Sequence, residues 1–326
     1  MLAIGVVAVV ALGVALWCCA RPPVGPTTVA VPHTCTWDGT LTAPLTYDRR
    51  GLFLVRVEVH VDGAYRATAC VVDTGSRHLT VAAASLGLGA SGTLARPVVD
   101  GPDRLTYGPP PDGGRWHRVP VRMGNTRVCH DLQDVALAVT HRRTCAPATC
   151  CDVLGLAGGT GTPPPFLHQL GKRAFRLQLR RHGGQLRLND ATLEGTRLPR
   201  LPHSHLIVLR LRGLGTRRRG GPLRLLAGVP DRVMVDTGSN MLGCTPAVAR
   251  ALTAAVDGGG HVDLVLVLED AVGQPHEHVV GPTMYRHGGK VLVDAAQGSP
   301  MVTLGSLFLV GHDLTVTPEA VALRRA

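Results

Sequence analysis

The clearest periodic pattern along the chain is an alternation of apolar and polar residues over residues 52–61. One face of this stretch carries large apolar side chains: Phe53, Val55, Val57 and Val59. The opposite face includes the charged residues Arg56 and Glu58. A period of two is typical of a strand with one buried face, so we predict a β-strand here. The Asp-Gly pair at 62–63 then predicts a tight turn, and residues 65–72 predict the returning strand.

Short apolar stretches separated by turn residues continue to the end of the chain, which contains 40 glycines and 24 prolines. Helical periodicity is confined to short windows, chiefly residues 166–170 and 245–256. His276 and His278 have the spacing of one strand face, and we interpret both as exposed strand residues. The pattern predicts an all-β fold with a few short helices. The length of 326 residues allows two lobes, because a single core usually divides beyond roughly 250 residues.

The N-terminal segment is the most hydrophobic part of the chain. Residues 2–20 contain no charged side chain and are mostly alanine, valine and leucine. We expect residues 1–20 to be a signal peptide or a signal anchor, followed by a Pro-rich spacer over residues 21–45. Small residues before Arg21 favour cleavage, whereas Arg21 itself favours a retained anchor. The expected location is therefore secreted or membrane-anchored, with membrane contact only through this segment.

Composition and charge narrow the possible partners. The chain is 45% hydrophobic and 17% charged, which indicates a folded protein. The formal net charge of +11 comes almost entirely from arginine, since Lys172 and Lys290 are the only lysines. The densest basic run, residues 217–219, has no interleaved aromatic residues that could stack on bases. We interpret it as a solvated hairpin tip and expect no specific nucleic-acid partner.

Cysteine usage is typical of disulfide chemistry. Seven cysteines follow the N-terminal segment: Cys35, Cys70, Cys129, Cys145, Cys150, Cys151 and Cys244. An odd number leaves at least one unpaired. In a secreted chain, the cluster at 145–151 predicts disulfides, with Cys129 and Cys35 as candidate partners and the connectivity open. No cysteine pair has the C-x-x-C spacing of a zinc finger, so we expect no metal site and no cofactor.

An internal repeat marks the candidate chemistry. The sequence Val-Asp-Thr-Gly-Ser occurs at residues 72–76 and again at residues 235–239, each time after an apolar, β-rich run. At average residue usage a given tetrapeptide occurs at roughly one position in 10⁵, so chance does not explain two copies. Threonine can hydrogen-bond the opposite loop, and glycine lets the backbone turn and approach closely. We predict Asp73 and Asp236 as the catalytic pair. The predicted loop-supporting residues are Thr74, Gly75, Ser76, Thr237, Gly238 and Ser239.

A second element recurs after each copy of the repeat. Val-Leu-Gly-Leu at 153–156 and Thr-Leu-Gly at 303–305 are apolar runs into glycine, at comparable distances downstream of Asp73 and Asp236. A single run of this kind is commonplace. Its recurrence after both copies predicts a strand that threads beneath each catalytic loop.

These motifs resemble those of the pepsin-like aspartic proteases, and the likeness extends over nearly all of residues 46–326. Tyr107 and Gly108, within a Leu-Thr-Tyr-Gly sequence, resemble the flap that closes over a bound substrate. The resemblance implies a bilobal pepsin-like acid protease fold with two pseudo-twofold-related β lobes. The N-terminal lobe then spans residues 46–175, with the first loop and the flap, and the C-terminal lobe spans residues 176–326, with the second loop.

The resemblance implies an aspartic endopeptidase that acts on a peptide or protein substrate without a cofactor. In this family, two carboxyl groups about 3 Å apart share one proton, because like charges at that distance cannot both ionise. One carboxylate takes a proton from the attacking water, and the other carboxyl group protonates the peptide carbonyl oxygen. One chain supplies both Asp73 and Asp236, so we expect a monomer.

Two positions depart from the family pattern. Thr80 stands where a tryptophan usually supports the flap tyrosine, and Pro109 stands where a backbone N–H usually contacts the substrate. These departures support an alternative from another class, a catalytically inactive pepsin-like protein that binds a peptide or protein partner in the cleft.

Overall fold

The computed structural model describes residues 39–88, 115–124, 129–140, 152–161, 163–189, 192–202, 205–257, 261–287, 290–295 and 300–326. The predicted signal segment and the flap residues Tyr107 and Gly108 lie outside these ranges, as does Pro109. The same is true of four cysteines: Cys35, Cys145, Cys150 and Cys151. The disulfides proposed for that cluster therefore stay a prediction. No helix within the described ranges is long and apolar enough to cross a bilayer.

The first half of the described chain is built almost entirely of strands. Its elements are β1 (Leu41–Tyr47), β2 (Phe53–Val61), β3 (Ala64–Asp73), β4 (Leu79–Ala82), a 3-10 helix (Ala83–Leu86), β5 (Arg115–Gly124), β6 (Cys129–Thr140), β7 (Val153–Gly155) and α1 (Phe166–Gln169). Strand β2 confirms the alternation predicted for residues 52–61, since Phe53 and the valines are buried while Arg56 is exposed. Strand β3 confirms the predicted return strand.

The second half of the described chain also consists mostly of strands. Its elements are β8 (Phe175–Arg180), β9 (Gly183–Leu188), β10 (Thr196–Pro199), β11 (Ile207–Arg218), β12 (Arg224–Leu225), β13 (Arg232–Asp236), β14 (Leu242–Cys244), α2 (Pro246–Asp257), β15 (Val262–Glu269), β16 (Pro275–Val280), α3 (Pro282–Tyr285), β17 (Arg286–His287), β18 (Lys290–Val291), β19 (Val293–Ala295), β20 (Val302–Gly305), a 3-10 helix (Ser306–Leu309), β21 (His312–Val316) and β22 (Ala320–Arg325). The helices α1 and α2 lie where the sequence predicts them.

Hydrogen bonding joins the strands into two large sheets and a short ribbon of β17 and β18. The larger sheet has the order β10-β22-β21-β8-β9-β1-β2-β3-β7-β4-β6-β5. The smaller has the order β16-β15-β11-β13-β20-β14-β19, with β12 paired to β11. Strands β21 and β22 thus return to the sheet that contains the first half of the chain, where they fill the space between β8 and β10.

Each large sheet contains the same local arrangement around its Asp-Thr-Gly-Ser loop. In one, β3 runs parallel to β7, with Asp73 opposite Gly155. In the other, β13 runs parallel to β20, with Asp236 opposite Gly305. Strands β4 and β14 pair antiparallel with the same two threading strands. The repeated sequence therefore folds into a repeated structure, and the predicted threading strands are confirmed.

The core is largely aliphatic, because only 3% of the residues are aromatic. Valine and leucine fill the inner strand faces, and the buried aromatic side chains include Phe53, Phe166, Phe175, Phe308 and Tyr285. Each fully buried side chain of this kind contributes roughly 1.5–3 kcal/mol relative to an exposed one. Apolar packing therefore supports both loops from below.

Two features differ from the expectations based on sequence. Strand β1 begins at Leu41, within the segment expected to be a spacer, and its residues alternate between buried and more exposed positions. Pro44 lies on the more exposed face, and a proline within a short run argues against a strand, so the sequence does not reveal β1. His278 is buried, at 3% exposure, although we expected an exposed position. The reason is that β16 turns this side chain inward, where its Nε2–H donates to the Phe308 carbonyl at 2.8 Å.

Candidate active site

The two Asp-Thr-Gly-Ser loops meet between the sheets. Asp73 ends β3 and Asp236 ends β13, and their carboxyl groups lie close enough to interact electrostatically. A methyl group on Gly75 would lie 3.2 Å from Asp73 Oδ1 and 3.1 Å from Asp236 Oδ1. Asp73 is only 1% exposed, whereas Asp236 remains partly accessible. The structure thus brings together the two aspartates singled out from the sequence.

The threonines of the two loops bind each other's backbone reciprocally. Thr74 N–H donates to Thr237 Oγ1 at 3.1 Å, and Thr237 N–H donates to Thr74 Oγ1 at 3.0 Å. Each hydroxyl then donates across the junction, Thr74 to the Val235 carbonyl at 2.9 Å and Thr237 to the Val72 carbonyl at 2.7 Å. Both threonines are fully buried. Four hydrogen bonds therefore fix one loop against the other.

Glycine follows each threonine because there is no room for a side chain. A methyl group on Gly238 would lie 2.4 Å from the carboxyl carbon of Asp73, a distance that van der Waals repulsion excludes. The glycine of one lobe thus allows the carboxylate of the other lobe to approach its backbone. The Gly-dependent close approach predicted for the repeat is present in the structure.

The threading strands need glycine for a similar reason. A methyl group on Gly155 would lie 2.5 Å from the backbone nitrogen of His78, and one on Gly305 would lie 2.5 Å from the Met241 carbonyl oxygen. Each strand therefore passes directly beneath the turn that follows its Asp-Thr-Gly-Ser loop. This contact holds the loops from the side away from the dyad.

The two carboxyl groups have different hydrogen-bond partners. Asp73 accepts from Gly75 N–H at 2.7 Å and from the Ser76 hydroxyl. Asp236 accepts from Gly238 N–H at 3.0 Å. The Ser239 hydroxyl instead accepts from Met241 N–H at 3.2 Å. The two serines of the repeat thus occupy equivalent positions in sequence but have different roles in the structure.

This asymmetry sets the electrostatics of the pair. Burial of its carboxyl group, followed by the charge of Asp73 and the hydrogen bond to it, raises the pKa of Asp236 well above the usual range of a carboxyl group. The protonated form of Asp236 can then donate to Asp73. The dyad therefore retains one proton at a pH where isolated carboxyl groups have lost theirs.

An aromatic residue that the sequence did not single out lies beside the first loop. Trp116 of β5 is buried and packs edge-on against His78, with ring centroids 4.8 Å apart. His78 follows Ser76 by two residues and shares a hydrogen bond with the Pro163 carbonyl at 3.2 Å. Burial lowers the pKa of His78 to about 4, so this side chain is neutral above that pH. Its contact with Trp116 joins residues that are far apart in sequence, and local pattern does not reveal it.

Other potentially reactive groups stand apart from the dyad. Among the described residues, no group of three or more histidine, cysteine or acidic side chains is placed to hold a metal ion. Cys244 in β14 is a free, buried cysteine. Burial, followed by the charge of Asp294, raises the pKa of its thiol to about 11. The Cys244 side chain is therefore an uncharged part of the core at neutral pH.

Comparison with known proteins supports the fold. No family model matches the sequence, and no curated protein matches it either. Among solved structures, the chain is similar to basic 7S globulin from soybean, with a TM-score of 0.64 over 88% of this chain and 96% of that one. The sequence identity is 12%, at which the likeness shows the fold alone. The chain has the all-β, bilobal pepsin-like architecture.

Proposed function

We propose that this chain is an aspartic endopeptidase that hydrolyses peptide bonds with a water molecule held between Asp73 and Asp236. The observation that carries the proposal is the close approach of the two carboxyl groups, whose Oδ1 atoms lie 3.1 and 3.2 Å from the same Cβ position at Gly75, on two loops of identical sequence. Two carboxylates in contact cannot both be ionised, so the pair combines a base with an acid. Hydrolysis of an unactivated amide needs both.

The surroundings of each carboxyl group support a division of roles. Asp236 has the raised pKa and holds the shared proton. Asp73 carries the negative charge, which Gly75 N–H and the Ser76 hydroxyl stabilise by hydrogen bonding. We therefore infer that Asp73 is the general base and Asp236 the general acid of the first step.

In that step, Asp73 removes a proton from the water molecule. At the same time, the oxygen of the water bonds to the carbonyl carbon of the peptide. Asp236 donates its proton to the carbonyl oxygen, which gives a neutral tetrahedral diol. When the C–N bond breaks, Asp73 returns its proton to the amine nitrogen and Asp236 recovers one from a diol hydroxyl. The products are a carboxylic acid and an amine, and the dyad returns to its starting state.

A single chain supplies every residue of the proposed active site. Both carboxyl groups, and the threonines that lock their loops together, come from the same polypeptide. We accordingly propose that the protein acts as a monomer on an extended peptide or protein substrate, with water as the only co-reactant.

The decisive experiment measures cleavage of a peptide library by the wild type, Asp73→Asn and Asp236→Asn. Each substitution preserves size but removes one titrating group, so we expect kcat to fall by about 10²–10⁴. Asp231→Asn is the matched control, because this aspartate has a side chain that is 76% exposed. A statine-type transition-state analogue should block the wild type. Cleavage that survives both dyad substitutions would contradict the proposal.

A second candidate function is a catalytically inactive protein that binds a peptide or protein partner in the same cleft. The half-buried Thr80 of β4 favours it, since the resemblance leads us to expect a flap-supporting tryptophan there. The nearby indole, Trp116, comes instead from β5 and packs on His78. Under this alternative the statine-type peptide binds, but no library peptide is cleaved at any pH.

A further inference from the structure

The two Asp-Thr-Gly-Ser loops share a backbone contact two residues after the serine. Gly155 N–H of β7 donates to the His78 carbonyl at 3.0 Å, and Gly305 N–H of β20 donates to the Met241 carbonyl at 3.1 Å. The side chains at these matched positions differ, since one is an imidazole and the other a thioether. The repeat therefore presents two different side chains on one backbone arrangement.

The serines of the two loops form different hydrogen bonds. The Ser239 hydroxyl accepts from Met241 N–H at 3.2 Å, which is the local bond that a serine commonly forms with the residue two positions on. The Ser76 hydroxyl instead donates to Asp73, and among the described residues no hydrogen bond joins it to His78 N–H. The first serine is thus directed to its aspartate, and the second to its own backbone.

The His78 side chain is held by two contacts. Its Nε2–H donates to the Pro163 carbonyl at 3.2 Å, and its ring lies edge-on to Trp116, with centroids 4.8 Å apart. Strand register brings the indole to this place. Trp116 lies opposite Ala138, and Ala138 lies opposite Thr80, so their three side chains share one face of the sheet. The Trp116 side chain therefore belongs to the face on which position 80 has only a threonine.

We infer that His78 is a positioning residue, which acts on the proposed general base Asp73 through the Ser76 hydroxyl. This inference rests on the proposed function. With its ring bound by Pro163 and Trp116, His78 keeps its backbone N–H from the serine, and the hydroxyl stays on Asp73. A hydrogen bond to a carboxylate favours its ionised form. That is the form in which a carboxyl group removes a proton from water.

The main test is the pH dependence of kcat/KM for the wild type and for His78→Met, which gives the first loop the side chain of the second. Loss of the serine donor disfavours the ionised base, so the acid limb should move to higher pH by about one unit. His78→Gln should return the limb most of the way to its wild-type position, because its amide N–H can reach the Pro163 carbonyl.

Two features of the chain control this test for charge and for packing. Burial lowers the pKa of His78 to about 4, so above that pH neither substitution changes the charge near the dyad. His60→Met is the matched control, because the His60 ring also lies edge-on to an aromatic ring, that of Tyr65, with centroids 5.1 Å apart. Tyr65 stands at the opposite end of β3 from Asp73, so this control should leave the acid limb in place.

Ser76→Ala separates positioning from a merely structural role. Without the hydroxyl, His78→Met should shift the limb no further, because both changes act on one bond. An equal shift in both backgrounds would contradict the inference. If His78→Met does not fold, Trp116→Leu decides, because it removes the ring contact and leaves the imidazole in place. Its acid limb should move in the same direction, and an unmoved limb overturns the inference.

The outcomes also separate this inference from the proposed function. If peptides are cleaved and the acid limb of folded His78→Met stays at its wild-type position, the inference is wrong and the proposed function stands. If the wild type cleaves no peptide, the proposed function fails. A ¹³C NMR titration of the Asp73 carboxyl carbon, assigned by its loss in Asp73→Asn, then decides alone. A midpoint that rises in His78→Met supports the positioning role, and an unchanged midpoint overturns it.

Discussion

At the scale of single residues, the junction of the two Asp-Thr-Gly-Ser loops depends on two buried hydroxyl groups. The Thr74 hydroxyl accepts from Thr237 N–H and donates to the Val235 carbonyl. Replacing Thr74 by valine keeps the shape and leaves both backbone groups buried without a partner. We expect the free energy of unfolding to fall by about 1–3 kcal/mol for each group stranded in this way. Denaturant unfolding monitored at equilibrium measures the change.

The reciprocal geometry makes this prediction sharper. Thr237→Val should cost about as much as Thr74→Val, because each substitution removes two of the four hydrogen bonds and no bond is removed by both. Thr46→Val is the control, since this exposed hydroxyl makes only a long 3.5 Å bond and should change stability by less than about 0.5 kcal/mol. If either threonine variant were as stable as the Thr46→Val control, the reciprocal arrangement would be contradicted.

At the scale of elements, strand β21 is joined to its neighbours by charge as well as by backbone pairing. Asp313 of β21 is 2% exposed and accepts from Arg176 and Arg180 of β8 and from Arg324 of β22. Burial alone would raise the pKa of this carboxyl group, but the three arginine donors hold it below its ordinary value. The network therefore ties β21 to the strand on each side of it.

Asp313→Asn should destabilise the fold by about 3–5 kcal/mol, because it leaves the buried guanidinium of Arg176 without its main counter-charge. Glu194→Gln is the matched control. Glu194 contacts Arg176 and Arg324 too, but its side chain is 41% exposed, so we expect less than about 1 kcal/mol. Urea midpoints of both variants at neutral pH test the difference, and equal midpoints would count against the network.

At the scale of the whole molecule, the fold and the dyad respond differently to acid. Burial, followed by the charge of His312, lowers the pKa of His278 to about 4, whereas an unfolded histidine titrates near 6.5. Between these values only the unfolded chain binds the proton. The stability that His278 contributes is therefore complete above about pH 6.5 and is lost as the pH falls towards about 4, by an amount on the order of 3 kcal/mol. The raised pKa of Asp236 keeps the dyad singly protonated without acid, so activity does not require that range.

Thermal unfolding measured from pH 7 to pH 4 checks this expectation. His278→Gln retains a side-chain N–H for the Phe308 carbonyl but does not titrate, so its melting temperature should depend less steeply on pH. The neighbouring His276 and His312, and the Arg180 and Arg325 charges beside His312, remain in place. His261→Gln serves as the control, because the His261 side chain is 57% exposed. An unchanged pH slope in His278→Gln would refute the assignment.

The structural features that could be predicted from the sequence come from local patterns or from the repeated motif. The period-two pattern of residues 52–61 predicts β2, and the duplicated Asp-Thr-Gly-Ser predicts that two loops meet. Neither signal carries information about which distant segments pack on those loops. The Asn240 contact with Arg50 and the edge-on contact of Trp116 with His78 depend on tertiary packing between segments far apart in the chain. A proline within a short strand, as in β1, also hides that strand from sequence pattern, although its burial alternates.

The position of β21 and β22 has a consequence for how the protein is made. These strands fill the space between β8 and β10, yet β8 and β10 leave the ribosome long before them. During synthesis, facing rows of backbone donors and acceptors on β8 and β10 must stay open to water. Exposed strand edges invite pairing with other chains. Until β21 and β22 emerge, these two edges are therefore open to pairing with other chains, a risk that holdase chaperones would reduce.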